Sequence, residues 1–409
     1  MRLPKLSILG YLLNYKLTPP GRMFVFVLLI SAVGSITVEL PIYQIFCTLV
    51  GLLFCLEFVG ILLQPRLRAD VHLAQTVTAG EVLRGYVRLT NEGWWPALDV
   101  MVAIAPLPND MRHIDGDEMA PIIPAGQSAV LPISIEVQSR GVYPLPELRP
   151  HSTFPLNVMR FGRRSFALPT ITVLPSFHAL EQIELPVSLR YQPGGILVEG
   201  HVGSSPEYIG NREYTDGEPI HRIDFRAWAR LGRPVVREFQ EEYCTRVALI
   251  LDTYQPPVWR GRKQRHDRFE QAISLTAAIA DGLNRGESII DLFAAGPELY
   301  VFQASTGSTH FDKVLEILGG IEPTSRDPFE KLSPAVGEVL ESISTVLCVF
   351  LDWDATREAF VQRVIEAGCE PRVILVSDAA QPSQWFPEDG VRYRHVTPGQ
   401  VALGEVDSL

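Results

Sequence analysis

Three apolar stretches of this 409-residue chain end in aspartate: VALILD (247–252), STVLCVFLD (344–352) and PRVILVSD (371–378). Continuous apolar runs of that kind read as strands buried on both faces. In parallel sheets, ligands bind beyond the carboxyl ends of the strands, where the strand order reverses. If the first two runs flank that point, Asp252 and Asp352 face one crevice, and two carboxylates there suit a hard divalent cation such as Mg²⁺. The plainer reading, preferred on spacing alone, is that each aspartate caps the helix after its strand. VFLDWDAT (349–356) also holds a D-x-D-x-T spacing, in which Asp352 would be a nucleophile and Asp354 a general acid/base. A different constellation fills 210–243, GNREYTDGEPIHRIDFRAWARLGRPVVREFQEEY. Arginines, acids and aromatics alternate there directly ahead of a core strand, and a solvated face would not interleave them so closely.

The elements that must position these groups follow from periodicity. Helical spacing over 268–285, 309–320 and 355–368, between apolar runs at 247–252, 288–295, 299–303, 344–352 and 371–378, predicts a parallel, doubly wound sheet. Upstream the period is two. Leu83, Gly85, Val87 and Leu89 share one face, as do Leu98, Val100, Val102 and Ile104, and Leu131, Ile133, Ile135 and Val137. With loop chemistry at TNEGWWP (90–96) and IPAGQS (123–128), that alternation predicts a β-sandwich of about a hundred residues.

Residues 23–38 and 42–63 are apolar, the second long enough for a span of about 20 residues and the first at the short end. They predict a transmembrane helical hairpin. A signal peptide is the competing reading of the first, weakened by the long polar lead and the immediate second span. Arg2, Lys5, Lys16 and Arg22 precede the pair, Arg66 and Arg68 follow it, and the turn has neither Lys nor Arg. The positive-inside rule therefore places both ends, and everything after residue 64, in the cytoplasm. Glu57 falls inside the second span and is expected near the cytoplasmic interface, in contact with water.

The expected division is a cytoplasmic segment (1–22), the hairpin (23–65), the sandwich (66–177), a connector (178–209), the charged stretch (210–243), the α/β domain (244–400) and a tail (401–409). A formal charge of −11 argues against nucleic acid, whose phosphates want a basic surface. Five cysteines, Cys47, Cys55, Cys244, Cys348 and Cys369, form no C-x-x-C pair and read as free thiols in a reducing compartment. Neither a G-x-S-x-G elbow nor a phosphate-binding glycine loop occurs.

The charged stretch carries a family pattern. Gly210, Arg212, Tyr214, Gly217 and Glu218 fit G-x-R-x-Y-x-x-G-[DE]. Arg222, Ile223, Asp224, Phe225 and Arg226 fit R-x-I-[DN]-[WF]-[KR], and Ala229–Arg230 with Val236–Arg237–Glu238 complete it. In these residues, and in SRGVYPLPELRP (139–150), the chain resembles the bacterial family known as domain of unknown function 58. The resemblance implies a von Willebrand factor A-like domain in the C-terminal half. The fold class expected is thus α/β plus all-β: a two-helix transmembrane hairpin, a β-sandwich, and an A-like doubly wound sheet. It also implies a two-pass protein of the bacterial inner membrane, with no catalysis of its own. Its implied role is adaptor to a MoxR-type AAA+ ATPase, with a transglutaminase-like membrane protein as a further partner. Metal-binding A domains carry D-x-S-x-S after the first strand, whereas here Tyr254 and Pro256 replace both serines. The expectation is a vestigial site at Asp252 and Asp352 and no cofactor, with Mg²⁺ as the alternative.

Within the charged stretch, RIDFRAWAR (222–230) has helical spacing that aligns Arg222, Arg226 and Arg230. Together with Arg212, Tyr214, Asp224, Arg237 and Glu238 they form either a structural clasp of arginine–carboxylate pairs, the preferred reading, or a docking surface for an acidic partner. Two rival functions remain. One is a self-assembling structural envelope protein. The other follows from the D-x-D-x-T spacing, which resembles haloacid-dehalogenase-type phosphatases using Asp352 and Asp354; no lysine follows Lys331 to balance a phosphate.

Overall fold

The computed structural model describes residues 16–35, 41–116, 118–183, 207–215, 223–240, 246–255, 262–286, 288–303, 310–340, 343, 345–378 and 392–409. The chain forms two compact units, Met1–Pro175 and Ser176–Leu409.

The first unit begins with two apolar helices in contact with each other, α1 (Pro19–Gly34) and α2 (Pro41–Leu62). Thr18 caps α1 by accepting the Gly21 N–H at 3.1 Å, and prolines fill its first two positions. That is why α1 starts four residues ahead of the expected span. Among the described residues only α2 is long and apolar enough to cross a membrane; α1 has 16 residues.

Both helix bases rest on the loop after the ninth strand of this unit. A Cβ on Gly60 would collide with the Phe161 ring, and one on Gly21 with the Val158 carbonyl, so these approaches require glycine. Leu17, Leu56, Val158, Met159 and Phe161 close into a small apolar cluster there. Lys16 Nζ donates to Glu57 Oε1 at 3.2 Å and sits 4.3 Å from the Phe161 ring centroid. Glu57 is thus paired with a lysine from its neighbouring segment, and its side chain remains 37 % exposed.

Ten strands follow: β1 (Leu67–Leu73), β2 (Thr76–Thr78), β3 (Val82–Asn91), β4 (Ala97–Ile104), β5 (Met111–His113), β6 (Met119–Ile123), β7 (Ser128–Val137), β8 (Gly141–Pro144), β9 (Leu148–Ser152) and β10 (Thr170–Leu174). They pair in three sheets, β1-β3-β7-β5, β2-β10-β8 and β6-β4-β9, around one apolar core. The alternating residues of β3 and β7 supply its centre. On β4 the alternation slips: Asp99 takes a left-handed backbone (φ 47°), so Ala97 is buried and Leu98 only half-buried.

His151 on β9 is buried, its Nδ1 3.1 Å from the Arg149 carbonyl, to which it donates. Burial, aided by the charge of Arg160 and opposed by that hydrogen bond, pushes its pKa down to about 4. A depressed folded-state value means stability is complete above the unfolded pKa and is lost as pH falls. Acidification from about 6.5 to about 4 should therefore cost this unit about 3 kcal/mol. Urea denaturation of the detergent-solubilised chain at both pH values checks this, and His151→Gln should remove that slope.

The second unit opens with β11 (Glu207–Glu213), α3 (Phe225–Leu231) and β12 (Val235–Gln240), the two strands forming an antiparallel pair. Then come β13 (Arg246–Leu251), α4 (Arg262–Arg285), β14 (Ile289–Ala295), β15 (Leu299–Gln303), α5 (His310–Gly320) and α6 (Phe329–Gly337). After these lie β16 (Thr345–Phe350), α7 (Ala355–Glu366), β17 (Glu370–Val376), β18 (Arg392–Val396) and α8 (Pro398–Leu403). Six strands make one sheet in the order β15-β14-β13-β16-β17-β18, parallel except for β15. Residues 296–298 alone separate β14 from β15, which is hairpin length and forces the antiparallel turn-back. The expectation of a wholly parallel sheet is corrected at that edge.

Helices cover both faces. Ala248, Ile250, Phe293, Val346, Cys348 and Val373 pack with α6 and α7. The residues between them point the other way, as period two requires, and α4 packs against β13, β14, β16 and β17, with α8 beside it. Burial pushes the Cys348 thiol well above its ordinary range, which leaves it inert.

The stretch expected as a connector, 178–209, is structured at both ends; residues 184–206 lie outside the described residues. Arg285 Nη2 donates to the Leu180 carbonyl at 2.6 Å, the Glu181 N–H donates to the Asp407 carbonyl at 2.7 Å, and β11 begins at Glu207. Nor is 401–409 a free tail, since α8 crosses the boundary expected at 400 and the residues after it bond to 181–182.

Candidate functional site

Strands β13 and β16 are parallel neighbours at the point where the strand order reverses, so Asp252 and Asp352 do leave adjacent strand ends. Their environments differ. Asp252 is fully buried and Asp352 is exposed. The Asp352 carboxylate accepts the Trp353 N–H at 2.9 Å. Into the position beside Asp252 comes Arg357 of α7, itself 1 % exposed. Its Nε donates to Asp252 Oδ2 at 3.0 Å, and its Nη2 to Oδ1 at 3.1 Å and Oδ2 at 2.9 Å. The Tyr254 N–H at 2.9 Å and the Leu351 N–H at 3.3 Å complete the shell of the carboxylate.

Asp354 caps α7 through the Thr356 and Arg357 N–H groups, and its other oxygen accepts from Arg357 Nη1 at 2.5 Å. The guanidinium lies 5.3 Å from the Tyr254 ring centroid and 5.1 Å from that of Phe329. It is therefore paired in its plane by two carboxylates and stacked by two rings. Burial raises the Asp252 carboxyl above the ordinary range, with Arg357 and the two N–H groups pulling the other way. Burial would lower the guanidinium, but Asp252 and then Asp354 outweigh it, and its pKa is raised. With both Asp252 oxygens held by one fork, the two groups form an ion pair.

Asp252 thus spends its oxygens on an internal cation, and Asp354 spends its on a cap and the same cation. Among the described residues no three His, Cys, Asp or Glu side chains converge on a metal position. Arg357 and Phe329 are the residues sequence reasoning missed, together with the stacking role of Tyr254. The available signal was spacing: Arg357 shares the helix face of Phe360, Val361 and Val364, all buried.

The charged stretch is a small β-α-β unit. Ile223 bridges Val236, and the Asp224 N–H donates to the Val235 carbonyl at 2.9 Å. Asp224 caps α3, accepting the Arg226 and Ala227 N–H groups at 3.0 Å each; Gly232 ends it at φ 67°. Only Ala227 of α3 is buried. Arg226 and Arg230, four residues apart, are exposed, and so are Phe225 (58 %), Trp228 and Leu231. The Phe225 and Trp228 rings stack at 6.1 Å.

Arg212, exposed on β11, stands opposite Val236; Tyr214 is half-buried and its N–H donates to the Pro234 carbonyl at 3.1 Å. Arg237 and Glu238 pair with Asn211 and Gly210 on the β11–β12 ladder. Arg222, and the side chains of Arg237 and Glu238, lie outside the described residues. An ion pair that the sequence reading did not name, Arg233 with Glu213, ties the strand ends together.

Residues 210–392 match the family model described as protein of unknown function DUF58. A curated relative, the uncharacterized protein YeaD of Bacillus subtilis (strain 168), is 23 % identical over 169 residues, 40 % of this chain and 38 % of that protein. Among solved structures, the CARDB domain of a Pyrococcus furiosus protein covers 27 % of this chain and 89 % of its own at 13 % identity and a TM-score of 0.18. The secreted serine protease VesC of Vibrio cholerae covers 30 % and 26 %, at 11 % identity and the same score. Scores that low carry no argument.

Proposed function

We propose that the chain is a two-pass membrane adaptor without catalysis of its own, its soluble units in the cytoplasm, that docks a MoxR-type AAA+ ATPase. A transglutaminase-like membrane protein is a further partner on this reading. The observation that carries it is α3. A seven-residue helix that buries one alanine and shows two arginines and three large apolar side chains to solvent is poorly explained as a clasp. Exposed arginine and aromatic residues together are what protein interfaces select. The basic residues Lys16, Arg22, Arg66 and Arg68 around α1 and α2 support the cytoplasmic orientation.

The sheet order, with its antiparallel edge strand, suits a von Willebrand factor A-like domain. In such a domain Arg357 takes the place beside Asp252 that a cation would occupy. The site is then vestigial, and calorimetry of the full chain with Mg²⁺ or Mn²⁺ should give no binding heat that Asp252→Ala abolishes. Such a heat would restore the metal reading. Capturing the tagged chain from cross-linked native membranes tests the adaptor reading. Recovery of an AAA+ ATPase supports it, and recovery of this chain alone favours a self-assembling structural role.

A further inference from the structure

Trp94 and Trp95 are 89 % and 73 % exposed, on the loop between β3 and β4. Two adjacent indoles in water are costly unless something covers them. The loop is not loose. Buried Asn91 donates through Nδ2 to the Trp95 carbonyl at 2.8 Å and the Ile123 carbonyl at 2.9 Å, and its Oδ1 accepts the Gly93 N–H at 2.9 Å. The same loop is tied to the end of α2. The Glu92 N–H donates to the Arg66 carbonyl at 2.8 Å, four residues beyond Leu62. Arg164 pairs with Glu92 at 2.8 Å, while the adjacent Arg163 donates to Gln64 at 2.9 Å. Phe161 packs on Gly60, inside the end of the helix itself.

The β-rich unit is thereby held at the level where α2 leaves the apolar layer. Tryptophan favours that level, because its ring is amphipathic and its N–H can reach headgroups or water. We propose that the Trp94–Trp95 loop is an interfacial anchor, seating both indoles in the headgroup layer of the bilayer that holds α2. Arg66, exposed beside them, faces lipid phosphate. The occupant is the bilayer because the loop is fixed by hydrogen bonds to the residues leaving the apolar helix. This inference rests on the membrane reading of α2.

The test uses the full chain reconstituted in phosphatidylcholine vesicles, with and without bromine at shallow acyl positions. Two of the six tryptophans of the chain lie in the loop. The brominated lipid should therefore quench about a third more of the emission in the wild-type chain than in Trp94→Phe/Trp95→Phe. Trp94→Phe alone should show an intermediate loss, and the exposure of both rings leaves the fold unaffected. Equal quenching in wild type and variant, with both floating with the vesicles, overturns the anchor and leaves the membrane reading standing. A chain that does not float with vesicles overturns both.

Discussion

Arg357→Met is expected to destabilise the Ser176–Leu409 unit by about 3–5 kcal/mol, because it leaves Asp252 as a buried carboxylate without its partner. For a unit of this size that is a fall of about 10 °C in Tm, measurable by calorimetry on the detergent-solubilised chain. The loss should itself depend on pH. Without the guanidinium, burial is opposed only by the Tyr254 and Leu351 N–H groups and raises the Asp252 pKa further, so the variant is helped at low pH and loses that help as pH rises above the ordinary carboxylate range. Arg357→Met/Asp252→Leu should recover much of the loss, since neither charge then remains buried. A single-variant loss below about 1 kcal/mol would mean that the pair does not anchor the switch point.

The second large effect concerns α3. Arg226→Glu/Arg230→Glu reverses two exposed charges that make no core contact, so the unfolding midpoint should stay within about 0.5 kcal/mol of wild type. Binding of an acidic partner should fall at least about tenfold, since like charges then face each other across the interface. A folded variant that loses its partner identifies a docking surface. A variant that unfolds identifies a clasp instead. Asp224→Ala, which removes the cap of α3 at a cost of about 1 kcal/mol, should weaken the same partner by fraying the helix that presents the arginines.

The strands of both units were legible because the sequence periods match their burial. Alternation in β3 and β7, and the apolar runs of β13 and β16, needed no tertiary information. The residue that decides the chemistry of the switch point was hidden. An arginine on a helix reads as a solvated position, and Asp252 reads as a ligand or a cap. Only the i, i+3, i+4, i+7 spacing of Arg357 with Phe360, Val361 and Val364 marks it as inward-facing. Tyr254, read from the sequence only as a serine replacement, covers the guanidinium. Strands β11 and β12 were concealed by their polar content, although Val235 and Val236 of β12 are buried. Helix α3 was legible from the spacing of RIDFRAWAR, whereas the capping role of Asp224 and the exposure of the helix's arginines were not.

The adaptor reading stands or falls on partner capture. The tagged chain, recovered from cross-linked native membranes in ATP and in ADP, should bring down an AAA+ ATPase, more of it in ATP, and Arg226→Glu/Arg230→Glu should abolish that enrichment. Recovery of this chain by itself in both nucleotides, with wild type and variant alike, would contradict the account and point to a self-assembling structural protein.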